Sequence, residues 1–172
     1  MDIGKHITEH EVLGVKKASD IDLNDIGDVT ASSPNNSQPL TWITGSSAWL
    51  PVSPQNGIGF ILDGVGSVIT TGIKGDIEVP YNCYITEATL LADQTGSMTI
   101  DIWKDTYANF PPTVADTITS STPPSFSNAL KSQDSTLTGW TSGLSKGDIL
   151  RFNVGSADAV TNVALNLLVN KA

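Results

Sequence analysis

From Ile58 onward, apolar and polar residues alternate with a period of two. Met98, Ile100 and Ile102 share one face of residues 97–102. Leu150, Phe152 and Val154 alternate with Arg151 and Asn153, and Val163, Leu165, Leu167 and Val169 alternate with Ala164, Asn166 and Leu168. Successive side chains of a strand point to opposite faces, so these runs predict half-buried strands. Two more strands, over 77–79 and 84–92, flank Pro80-Tyr81-Asn82. Asp93-Gln94-Thr95-Gly96 supplies turn residues between the 84–92 strand and the Met98 strand, which predicts a hairpin. Pro111-Pro112 opens a segment, residues 113–118, where proline in the first turn predicts a short helix. Short strands separated by Gly and Pro turns, without helix–strand alternation, predict an all-β fold. Its C-terminal domain is expected to be an antiparallel β-sandwich or jelly roll.

Before residue 58 the pattern is different. Residues 1–30 hold seven acids and three bases, with scattered apolar residues Ile3, Ile7, Val12, Leu13, Val15, Ile21, Leu23 and Ile26. A short helix from Ile3 to Leu13 would end at Gly14. Residues 31–57 are rich in Ser, Pro, Asn and Gly, the composition of a connector. The expected organisation is an extended N-terminal arm over 1–30, a linker over 31–57 and a β-domain over 58–172. The arm is expected to gain order from a partner.

The linker contains a small element of its own, Trp42-Ile43-Thr44-Gly45-Ser46-Ser47-Ala48-Trp49. A two-residue type II′ turn at Gly45-Ser46 would set Thr44 opposite Ser47, Ile43 opposite Ala48 and Trp42 opposite Trp49. A lone hairpin is marginal in water and gains by packing on a neighbour.

Around this element stand Asp25-Ile26-Gly27-Asp28-Val29-Thr30, Ser33-Pro34, Gln38-Pro39-Leu40-Thr41-Trp42 and Ala48-Trp49-Leu50-Pro51. Together they resemble a short element common in tailed-phage fibre and decoration proteins, with Ser37 where its usual form has glycine. Asp101-Ile102-Trp103-Lys104-Asp105, Tyr107, Asn109, Pro111-Pro112-Thr113 and Gly147-Asp148-Ile149-Leu150-Arg151-Phe152-Asn153-Val154 are similar to a β-domain of phage structural proteins. The resemblance implies a non-enzymatic virion protein, of capsid-decoration, cement or head-fibre type. It would dock on the major capsid protein or another virion protein. Anchoring would fall to the arm residues Ile3, Ile7, Val12, Leu13, Val15, Ile21, Leu23 and Ile26. It also implies a homotrimer in contact through Trp42, Ile43, Trp49 and Leu50. The alternative is a carbohydrate-binding adhesion module of a tail fibre, meeting host-surface glycan through Trp103, Tyr107 and Trp140.

Charge narrows the partners. Nine basic against 18 acidic residues give a net charge of -9, unsuited to phosphate-rich nucleic acid. No apolar run approaches a membrane span, and residues 1–6 show no charged-then-apolar signal layout. Cys83, the single cysteine, precludes an intrachain disulfide and reads as a small buried residue.

The candidate chemistries each lack a part. His6 and His10 sit four apart, but His-Ile-Thr-Glu-His lacks the Glu directly after the first His, and there is no third ligand. Asp20, Asp22 and Asn24 open like a calcium loop, yet Asp25 stands where Gly is needed and Ala31 where Glu is needed. Asp101 and Asp105 could pair for glycoside hydrolysis, but a strand face and a strand end usually hold solvated or turn-capping acids. Both histidines lie in the arm, away from any Ser-Asp pair in the β-domain. No catalytic residue, metal or cofactor is therefore expected. Trp103 falls opposite Met98, Ile100 and Ile102 and is expected to pack under the 105–120 loop.

Overall fold

The computed structural model describes residues 29–30 and 38–172. The candidate helix from Ile3 to Leu13, the histidine pair, the Asp20–Asn24 run and all eight proposed anchoring residues lie outside the described residues. The chain divides into two compact units, with the boundary between Val52 and Ser53.

In the first unit, β1 (Leu40–Ile43) and β2 (Ala48–Pro51) form an antiparallel hairpin. Trp42 pairs with Trp49 and Ile43 with Ala48, the register obtained by counting outward from the turn. The turn itself differs from expectation. Residues 44–47 form a four-residue loop, closed by Ser46 N–H donating to Ile43 O and Ser47 N–H to Thr44 O. Ser47, not Gly45, takes the left-handed conformation, with φ 50°. The ladder ends one pair earlier than a type II′ turn requires, and consecutive i to i+3 bonds replace that turn. Val29 adds a parallel bridge to Trp49, with Thr30 N–H donating to Trp49 O.

The second unit is all-β and antiparallel: a seven-stranded sheet curled around one core. Its strands are β3 (Gln55–Asp63), β4 (Gly72–Glu78), β5 (Cys83–Thr106), β6 (Ser125–Asp134), β7 (Gly143–Leu144), β8 (Asp148–Asp158) and β9 (Asn162–Lys171). The path runs β3-β9-β5-β8-β4, with β6 and β7 also paired to β5. Strand β5 organises it. Residues 83–92 pair with β9 and residues 97–106 with β8, while β6 runs beside both halves.

The expected hairpin at Asp93-Gln94-Thr95-Gly96 is therefore corrected: the chain bends there without reversing. Four residues, 92–95, stand opposite Leu130 alone on β6, an enlarged bulge. Long-range contacts hold this bend. Asp93 accepts from the Thr161 backbone N–H and hydroxyl, and Gln94 donates to Ala159 O. At Gly96 a Cβ would come within 2.3 Å of Asp158 O, so only glycine lets the bend approach the β8–β9 connection.

A second bulge at Thr86 explains a phase change along β5. Cys83 and Ile85 are buried at odd positions before it, and Ala88 and Leu90 at even positions after it. The inward rows of β8 and β9 are the alternating residues anticipated, all buried. Curling brings the sheet's far ends together: Phe60 of β3 stacks on Phe152 of β8 with centroids 4.3 Å apart. A Cβ on Gly75 of β4 would lie 3.0 Å from the same Phe60 ring. Cys83 is buried, as its reading as a small buried residue expects; burial raises the pKa of its thiol, and the charge of Asp148 adds to the shift.

The short helix expected over 113–118 shrinks to one 3-10 turn, Val114–Asp116. Thr113 and Asp116 form a capping box around it. Thr117 then bridges Trp103, and Ile118 N–H donates to Ile102 O, so the chain returns to extended form. Pairing to β5 ends the turn.

Candidate functional site

Two surfaces stand out, one in each unit. On the hairpin, residues directly opposite each other share a face. Trp42 and Trp49 therefore lie together, with Leu40 and Pro51, and their rings meet edge-to-face at 5.8 Å. They remain 44% and 41% exposed, values unusual for tryptophan and sufficient to leave much of both indoles in water. Ile43 and Leu50 fall on the opposite face, with Ala48 and Thr41. One flat contact cannot take all four expected interface residues at once.

In the second unit, the outer face of β4, β8 and β5 is built in rows. Pairing aligns Asp76 with Arg151 and Trp103, and Glu78 with Ile149 and Asp105. Residues 107–119 cross this face. Asp101 fastens them: it accepts from Trp103 Nε1–H, the Thr117 hydroxyl and the Thr119 hydroxyl, each at 2.6 Å. Asp105 accepts from Thr106 N–H and from Asn109 Nδ2. Both acids weighed for glycoside hydrolysis thus tie the crossing segment to the strand.

Arg151 donates through Nε and Nη2 to both oxygens of Asp76, at 2.7 and 2.9 Å. That two-pronged pairing keeps its guanidinium charged, its pKa raised chiefly by the Asp76 hydrogen bonds. The same guanidinium lies 5.2 Å from the Phe110 ring centroid. Beside it opens a groove of about 430 Å³ lined by Asp76, Glu78, Tyr107, Phe110 and Ile149. Ile149 is buried, whereas Tyr107 is 77% exposed.

The three expected glycan contacts separate. Trp103 is buried, as its packing under the crossing segment predicted, and so offers no stacking platform. Trp140 packs against the core edge and donates Nε1–H to Thr122 O. Only Tyr107 presents an open ring, with Phe110 as its neighbour. Sequence reasoning missed Asp76, Glu78 and Ile149 as groove residues, and Arg151 as the partner of Asp76. The Asp76/Glu78 alternation was visible, but its partner strand was not. Among the described residues, no group of three or more His, Cys, Asp or Glu side chains could hold a metal ion. No helix there is long and apolar enough to cross a membrane. The chain matches no protein-family model, no curated protein and no solved structure.

Proposed function

We propose that the chain is a non-enzymatic structural protein of a phage particle, of capsid-decoration or head-fibre type. Residues 1–30 would dock on the major capsid protein or another virion protein, and the β-unit would be displayed. The observation that carries the reading is the exposed Trp42–Trp49 pair on a hairpin that belongs to a separate unit from the β-sheet. A two-stranded hairpin is too small to hide two indoles or to be stable alone. Burying them against identical hairpins would contribute several kcal/mol per chain, at about 25 cal/mol per Å². A homotrimer with these rings near its axis provides that cover, and the resemblance of the linker to trimeric phage fibres supports this number. Ile43 and Leu50, on the reverse face, would contact a different neighbour.

The test is location. Antibodies raised against residues 53–172 should label intact purified particles made from the genome that encodes the chain. A chain present in infected cells but missing from particles would overturn the proposal.

A further inference from the structure

We propose that the groove between β4 and the 3-10 turn Tyr107–Asn109, with Phe110 following it, receives a lysine side chain presented by a partner protein. This rests on the groove's own chemistry and is independent of the assembly reading. The groove lining carries two carboxylates, Asp76 and Glu78, and the sheet rows that continue beside it add the Arg151 guanidinium and the Asp105 carboxylate. Arg151 is already matched by Asp76, and Asp105 is taken by Thr106 and Asn109. Glu78 is exposed at the groove wall, and its side chain makes no hydrogen bond or ion pair with the described residues.

With the Arg151 guanidinium turned to Asp76, Pro112 O and the Phe110 ring, the groove lining offers acceptors and one side-chain donor, the Tyr107 hydroxyl. A sugar needs both, because every hydroxyl donates and accepts. An ammonium only donates. Its attached methylenes need an apolar channel, which Ile149 and the Tyr107 and Phe110 rings provide. Those rings also attract a cation, as the position of Arg151 over Phe110 already shows. Charge, hydrogen-bonding sense and apolar floor all select one ligand: a long, flexible stem ending in a primary ammonium.

The experiment is an NMR titration of the full-length protein with Nα-acetyl-lysine methylamide. Nα-acetyl-norleucine methylamide serves as the uncharged analogue, and glucosamine as an amine on a sugar. Lysine should produce saturable shifts at Tyr107, Phe110 and Ile149, and the other two should leave these signals unmoved. Glu78→Gln removes the free charge from an exposed residue and should weaken lysine binding by about two- to fivefold. Tyr107→Ala should weaken it as well, with unchanged chemical shifts in β9 reporting an intact fold. Equal response to norleucine, preferential response to glucosamine, no saturable shift, or full affinity in Glu78→Gln would each overturn the proposal.

Discussion

Removing the Asp101 carboxylate should loosen the whole segment that crosses the β4-β8-β5 face. Asp101→Ala deletes three charge-assisted acceptor contacts, from Trp103 Nε1–H, Thr117 Oγ1 and Thr119 Oγ1. Thr119 and Trp103 are buried, so water cannot readily replace the lost partner. Hydrogen bonds to a charged group are worth about 1.5–3 kcal/mol each, and bonds that share one carboxylate sum to less than three independent ones. A total near 4 kcal/mol follows, which for a domain of this size lowers Tm by roughly 15 °C. Asp101→Asn keeps one oxygen for Trp103 and presents an amide that the threonine hydroxyls can accept, so it should cost only about 1–2 kcal/mol. Calorimetric melting of the three proteins gives the ranking. Hydrogen exchange should show residues 107–119 opening first in the alanine variant. A loss below about 1 kcal/mol in Asp101→Ala, or unchanged protection of that segment, would refute the reasoning.

Three further outcomes follow from the same structure. Leu165 is fully buried in the inward row of β9, so Leu165→Ala should cost about 2–5 kcal/mol in chemical denaturation. Gly96→Ala would press a methyl group onto Asp158 O and Val160 Cγ1, and a loss of about 1–3 kcal/mol by the same assay is expected. The pKa of Asp93 is lowered chiefly by the Thr161 hydroxyl and that of Asp134 chiefly by the Thr136 hydroxyl. A carboxyl depressed on folding stabilises above its unfolded pKa, about 3.9, and that contribution is lost as pH falls through the folded value. Stability should therefore decline below about pH 4, and Thr161→Val should flatten the decline measured by Tm against pH.

The strands legible in the sequence were those with one wet face. Leu150, Phe152 and Val154 in β8 and Val163 to Val169 in β9 alternate because each is covered on one side only, and all are buried as the pattern implies. The Trp42–Trp49 register was legible too, since counting outward from a turn is a local operation. What escaped depends on distant partners. Asp93-Gln94-Thr95-Gly96 has the composition of a turn, yet Thr161, Ala159 and Asp158 hold it as a bend in a continuous strand. Strand β6 was missed because its burial is irregular: Phe126 is buried, but Ser127, Asn128, Leu130 and Lys131 are exposed. The groove was illegible for the same reason. Glu78 and Ile149 become neighbours through pairing of β4 with β8, 71 positions apart in the chain, and one strand's pattern does not disclose its partner.

The claim that the Trp42–Trp49 face holds copies of the chain together is tested most directly by sedimentation equilibrium of the full-length protein beside the Trp42→Ala, Trp49→Ala double variant. The account predicts a wild-type trimer and a double variant displaced to monomer. The double variant should keep a cooperative melting transition, because both tryptophans lie outside the unit that contains the core. A wild-type chain that stays monomeric across the concentration range, or a trimer unaffected by the loss of both indoles, would contradict it.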